Sequence, residues 1–354
     1  LGNYSPAGST LSVSDTVTNL QRFYRLNSLE GVTDVAGFLN VSLLGNSDNF
    51  FSTPFVRPSA ASLLVASVSG NVVSVTPAPG WAANQFVYAS SSQSNTYYAR
   101  FTSGAAEGRI YPITANASAS VTLNLGTDDL AGVAANDTIS IEPYWTLGTV
   151  FPNGTGVNAS PTVGNRNTEI LTPDLTSSGI NLSATKVYFF NAGIWKQVGQ
   201  GSVNHNDDII QPNSYLCIRH NVATNTTVFA AGVVVSAKLA IVVRSQPSVQ
   251  QDNAVGLLRP MAVSLNASGL ISSGAFQASA LPGTRTDELL TFDNTVASRN
   301  KSASAIYYYW QNAWREVGFG SADVGANLLT PGTGFIIRKG TNNATAIWTN
   351  APNW

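Results

Sequence analysis

VYFFNAGIWKQVGQGS (187–202) returns 119 residues later, without a gap, as IYYYWQNAWREVGFGS (306–321). Each copy reads as a β-hairpin, an aromatic strand and a Trp-containing strand around a short turn such as Asn191-Ala192-Gly193. The match extends outward from there. Glu169, Leu171, Thr172 and Asp174 become Glu288, Leu290, Thr291 and Asp293. Pro212 becomes Pro331, and Ile218-Arg219 becomes Ile337-Arg338. A gapless match from 169–229 to 288–348 marks a duplicated module. What the copies share is turn and core chemistry, with no shared acid, base or metal-ligand set.

The segments before each copy also correspond, more loosely. Asp48-Asn49 and Phe55-Val56-Arg57-Pro58 precede the first; Asp252-Asn253 and Leu257-Leu258-Arg259-Pro260 precede the second. On this reading each module opens on a strand ending in Arg-Pro, and the residues between the halves of module one are an insertion. Exposed loop tips accept such insertions.

The inserted stretch has its own texture. SLLVASVSG, NVVSVTPA, QFVYA, TYYARFT, GRIYPITAN, ASVTLNL and DTISIEPYW alternate apolar and polar residues between Gly- and Asn-rich turns. That spacing predicts a small antiparallel barrel. Before it, VAGFLNVSLLG and FFSTPFVRP read as two strands around Asn46-Ser47-Asp48-Asn49. After it, 147–167 is a Gly/Asn/Thr/Pro linker. Within each repeat, IIQPNSYLCIRH and TTVFAAG predict a second hairpin.

The first residues stand apart. The pattern of 15–26, DTVTNLQRFYRL, suits a short helix with Leu20, Phe23 and Tyr24 on one face. The stretch is either a docked terminal segment or an arm that packs on a neighbouring subunit. The chain then divides into an N-terminal arm (1–34), a first β module (35–58 with 146–236), an inserted small β-barrel (59–145) and a second β module (237–354). The fold class is all-β: duplicated antiparallel β-sandwich or barrel modules with a small β-barrel inserted in the first.

Composition narrows the function. The 354 residues carry only 10% charged side chains and a net charge of −1, so no basic stripe is present to bind nucleic acid. A 44% hydrophobic content supports real cores. Cys217 is the single cysteine, so no intrachain disulfide forms. No apolar run is long enough for a transmembrane helix. The hydroxyl- and amide-rich surface, and a start at Leu1, suit a mature exported chain. Sequons at Asn3, Asn40, Asn153, Asn158 and Asn343, among others, matter only in a host that glycosylates there.

Chemistry has few carriers. His205 and His220 are the only histidines, and no G-x-S-x-G elbow accompanies them. Asn204 to Asp208 offers oxygens for calcium, or is a polar turn; it lacks the calcium-loop spacing. Asp128-Asp129, Asp287-Glu288 and Glu169 are carboxylates near turns, and a glycosidase needs two across a cleft. Gly199-x-Gly201 and Gly318-x-Gly320 are tight turns with no following helix to hold phosphate. Trp81, Trp145, Trp195, Trp310 and Trp314 are either a sugar-stacking platform or cross-strand core aromatics. No catalytic, cofactor-binding or metal-ligating residue is assigned, and no cofactor is expected.

Three stretches together resemble an uncharacterised family of secreted, β-rich bacterial surface proteins. They are SDNFFSTPFVRP (47–58) with VASVSGNVVSV (65–75), EGRIYPITAN (107–116) with DDLAGVAANDTISIEPYWTLGTVFP (128–152), and the VYFF…W…P…IR repeat. The resemblance spans about 35–350 and implies export and a β-rich fold, with no activity attached. The expectation is a non-enzymatic extracellular structural protein, its partner further copies of itself, forming a filament, sheath or surface layer through β contacts and the arm. The alternative is a monomeric carbohydrate-binding or adhesive module.

Overall fold

The computed structural model describes residues 21–25, 27–28, 31–32, 34–90, 92–341 and 344–352. The helix expected over 15–26 lies outside these up to residue 20. Where it is described it is a strand instead. β1 (Gln21–Tyr24) pairs antiparallel with β4 (Ala36–Leu43), across a connection holding β2 (Asn27–Ser28) and β3 (Gly31–Val32). Phe23 covers Gly37, where a Cβ would sit 2.5 Å from its ring, so the missing side chain is what admits β1.

β5 (Ser47–Phe51) follows β4 after a turn at Gly45-Asn46. Asp48 and Asn49, expected in the turn, are strand residues. Their polarity is satisfied in place: the Asn49 amide donates to the Leu44, Ser47 and Ile218 carbonyls and accepts from the Leu44 N–H.

Six strands make a closed barrel, in the order β10-β7-β6-β11-β8-β9. They are β6 (Ala61–Ser69), β7 (Val72–Thr76), β8 (Tyr97–Phe101), β9 (Ile110–Ala117), β10 (Ser120–Leu123) and β11 (Thr138–Pro143). Closure leaves no open edge. QFVYA, expected as a further strand, is mostly turn and bend, with only an isolated bridge from Ala89 to Gln93. Its Phe86 is buried in the barrel core and its N–H donates to the Asn116 side chain, so the apolar pattern reports burial rather than pairing.

The first module resumes with β12 (Trp145–Thr146) and α1 (Leu147–Val150), then β13 (Thr168–Thr172), β14 (Lys186–Asn191), β15 (Ile194–Gln197), β16 (Ile209–Ile210), β17 (Leu216–His220) and β18 (Thr226–Val233). Its five-stranded sheet has the order β15-β14-β13-β17-β5, and its three-stranded sheet the order β1-β4-β18. The expected hairpin of β17 with β18 does not form. β17 pairs β13 and β5, whereas β18 crosses over to pair β4 along all eight residues. Inward residues of both sheets, among them Leu39, Leu43, Val228, Ile170, Trp195 and Ile218, share one core as a sandwich.

The second module is β19 (Leu239–Val243), β20 (Gln251–Gly256), β21 (Val263–Ser264), β22 (Glu288–Thr291), β23 (Ala305–Trp310), β24 (Ala313–Glu316), β25 (Leu328–Leu329), β26 (Gly334–Lys339) and β27 (Ala346–Asn350). Its sheet order, β20-β26-β22-β23-β24, is that of the first module strand for strand. The hairpin turns both use left-handed residues, Ala192 and Gly193 in one copy, Gln311 and Asn312 in the other, as a type I′ turn requires. The insertion point is defined by matching short pairs: Trp145 faces Ile210, and Val263 faces Leu329. Between Pro58 and Trp145 stand residues 59–144; between Pro260 and Val263 stand only Met261 and Ala262.

The two modules grip each other reciprocally. Residues 292–300 of the second lie on the β5 edge, and 173–181 of the first lie on the β20 edge. The Asp48 N–H donates to the Ser298 carbonyl (2.8 Å), and the Asp252 N–H to the Gly179 carbonyl (2.9 Å). The Ser52 N–H donates to Gly332 and the Gly256 N–H to Asn213 (3.0 and 3.1 Å). Adding 119 or 204 converts each bond into its counterpart, the pattern of a two-fold related, isologous contact inside one chain. The opposite edges are met locally: the His205 N–H donates to Trp195 and the Val324 N–H to Trp314.

Candidate functional site

One departure from the two-fold relation lies beside a cleft. On one side Phe50 stacks on Phe292 with ring centres 3.8 Å apart, and Tyr215 meets Phe50 edge-on at 5.3 Å. The corresponding residues on the other side are Ala254, Pro173 and Gly334. Of these only Ala254 lines the cleft; Gly334 is packed against Tyr215, where a Cβ would sit 2.4 Å from it. The inserted barrel leans in on that side: the Ala240 N–H donates to the Gly108 carbonyl, and Glu107 pairs with Lys238 at 3.3 Å. A cleft of about 270 Å³ remains between the barrel and both modules, with Ile110, Leu175, Ile241, Ala254 and Ile347 among its apolar walls.

Its polar groups are two arginines, two carboxylates already engaged by arginines, Asp128 and Asp252, and amide and hydroxyl groups, of which Asn213 Oδ1 and Ser214 Oγ are buried without a partner among the described residues. Arg109 reaches Asp128 at 3.1 Å, and the Tyr111 hydroxyl donates to Asp128 at 2.6 Å. Burial, then the bond to Asp128, pushes the Tyr111 phenol up to about 12, so it stays protonated at neutral pH. Arg244 donates to the Leu175 and Thr176 carbonyls at 2.6 and 2.9 Å. Among the described residues it has no carboxylate partner. The arrangement offers apolar contact with a few hydrogen-bonding groups, as a small-ligand site requires.

Of the candidates named from sequence, Asp128 lies in this cleft and the others fall elsewhere. His205 Nδ1 lies 3.2 Å from Asp208, which also accepts from Tyr188 and Lys186. Burial works against the Asp208 carboxylate, yet those bonds prevail and hold it below its ordinary value. Nε2 of His205 is buried without a partner, so no serine completes a triad. His220 is enclosed between the Thr168 and Thr226 hydroxyls, both at 2.8 Å, and burial lowers its pKa to about 4.

The Asn204–Asp208 turn spends its oxygens on protein donors. Asn204 accepts from the Asn206 N–H and Asn206 from the Trp195 N–H, both at 2.9 Å. Among the described residues no group of three His, Cys, Asp or Glu could hold a metal ion. Glu169 and Glu288 each hold the arginine three residues before, Arg166 and Arg285. Asp287 is buried against Lys339. The Gly199 and Gly318 turns are left-handed bends.

Trp195 and Trp314 are core residues, each in a cross-strand pair with an aromatic of the neighbouring strand, Phe190 and Tyr309. The other three candidates for stacking sugars, Trp81, Trp145 and Trp310, are partly exposed residues. Cys217 is shielded, and burial raises its thiol to about 12, so it is inert as a nucleophile.

A second, apolar groove of about 230 Å³ runs beside β18, between Phe229–Ala231 and Pro54, Phe55, Trp145, Val150 and Pro152. Phe229 is 58% exposed and stacks on Phe38 at 5.3 Å. Sequence reading missed both grooves. The signal for the first was present in the loose correspondence of β5 with β20, where Phe50 aligns with Ala254. Among the described residues no helix is long and apolar enough to cross a membrane. Set against family models, curated proteins and solved structures, the chain finds no match in any of the three.

Proposed function

We propose that the chain is a non-enzymatic, secreted structural protein that joins copies of itself into an extracellular filament, sheath or surface layer. The groove along β18 carries this reading. Both five-stranded sheets have their edges met inside the chain, by the other module or by a local turn. The β18 edge differs. Val233 is paired with Val56, but from Thr227 to Ala231 no backbone partner besides β4 stands among the described residues. That stretch borders apolar surface with a solvent-facing phenylalanine. An extended segment of a sister copy laid there gains main-chain bonds and buries Phe229. The surface adds little charge repulsion, since the net charge is −1. The resemblance to secreted bacterial surface proteins belongs to the same proposal, as does the assembling role of the residues before Gln21.

Negative-stain imaging and size-exclusion of the full chain test it. Ordered polymers that dissociate on Phe229→Asp are expected. Monodisperse monomers at high concentration would instead favour an adhesive module that binds surface glycans singly.

A further inference from the structure

We propose that the cleft between the barrel and the two modules is a binding site for a planar apolar ring carrying one anionic group, an aromatic carboxylate in chemical class. The argument starts from the broken two-fold relation. The same structural position in the other half is filled by Phe50 and Phe292, stacked within the chain. Here Ala254 stands where the other half has Phe50 and withdraws that ring, while strands of the same sheet still supply the walls. A cavity of ~150 Å³ holds a benzene ring. The cleft, at about 270 Å³, holds a ring and a small polar substituent.

The charge preference follows from Arg244. Its two terminal nitrogens are fixed by carbonyls of residues 175 and 176, so the guanidinium is positioned without being neutralised. Asp252, a carboxylate in the lining, is already engaged by Arg338 at 2.7 Å. Arg109 brings a second cation, neutralised by Asp128. A ligand carboxylate facing Arg244 gains a charge-assisted bond in a partly desolvated setting. Because the walls come from all three units, an occupant also ties the barrel to both modules, which predicts a higher melting temperature on binding.

The test uses the full chain with 2-naphthoate as probe and 2-naphthylmethanol as the neutral control, by calorimetric titration and thermal melting. One saturable site is expected, with naphthoate binding at least about tenfold more tightly than the alcohol. Ala254→Phe, which restores the residue of the other half, should abolish binding while melting at or above the parent. Ala254→Leu serves as a smaller plug if the phenylalanine disturbs folding. Arg244→Gln should bring naphthoate down to the level of the alcohol, and Asp128→Asn should tighten it. No saturable binding at millimolar probe, equal affinity for acid and alcohol, or binding unchanged by both plugs would overturn the proposal. None of these readouts depends on polymer formation, so the assembly reading stands or falls separately.

Discussion

Asp48 and Asp252 occupy one and the same position in the two halves of the molecule. Each accepts a two-pronged bond from an arginine of its own sheet: Arg219 to Asp48 at 2.7 and 2.9 Å, Arg338 to Asp252 at 2.7 and 3.0 Å. Each also accepts, at 2.8 Å, the backbone N–H of an asparagine from the opposite module, Asn300 and Asn181. Both asparagines are left-handed, with φ of 52°, and each returns a side-chain oxygen to the same arginine. The carboxylates therefore fasten strand to strand and module to module at once.

Removing one carboxylate should loosen that fastening. Asp48→Ala leaves Arg219 partly buried without its counter-ion, for a loss of about 3 kcal/mol. Asp252→Ala should cost a similar amount. Denaturant titration measures each. In the double variant, the single unfolding transition should separate into two as the modules lose their coupling. An unchanged midpoint in either single variant would mean the bonds contribute nothing.

His220 makes the first module acid-sensitive. Its folded pKa is lowered to about 4 from the ordinary 6.5 by burial. Below about 6.5 the unfolded chain takes up a proton that the folded chain excludes. The contribution is complete above about 6.5 and is lost as the pH falls toward 4. Stability measured across that window should rise with pH, and His220→Gln should flatten the rise.

The second module solves the same position with a buried ion pair. Thr168 and His220 correspond to Asp287 and Lys339. His220→Lys alone should be strongly destabilising, by about 3–5 kcal/mol, because it buries an unpaired ammonium. Adding Thr168→Asp should recover most of that loss and remove the acid sensitivity. A double variant no better than the single would show that the two environments differ beyond this pair.

The barrel should be dispensable for folding of the paired modules. Replacing residues 59–144 by Met-Ala, the link the second module uses, removes no buried member of either core, only the packing of Ile110 against the second, and leaves the reciprocal contacts. The shortened chain should keep a cooperative thermal transition and lose the 2-naphthoate site, since Arg109 and Ile110 leave with the barrel. Loss of cooperativity would mean that the modules need the barrel to hold together.

Much of this architecture was written along the chain. Strands and type I′ turns are local, and they repeat because Trp195, Trp314 and the left-handed turn residues repeat. The places where sequence misled share a cause. QFVYA has strand-like alternation, yet Phe86 is a plug inside the barrel. Asp48 and Asn49 have turn chemistry, yet their partners, Arg219 and the Ile218 carbonyl, arrive from far along the chain. Sequence neighbours β17 and β18 separate because β4 and β5, both distant in sequence, draw them into different sheets.

Periodicity, turn residues and the 119-residue repeat settle which segments extend, where they reverse and that the unit is doubled, because each depends on neighbours along the backbone. How the two copies face each other, which edges that contact covers, and where the absence of a Phe50 equivalent leaves a cleft depend on contacts between the two modules, such as Asp48 with Ser298 and Phe50 with Phe292. Those contacts exist only once both sheets have formed, so only the tertiary structure decides them.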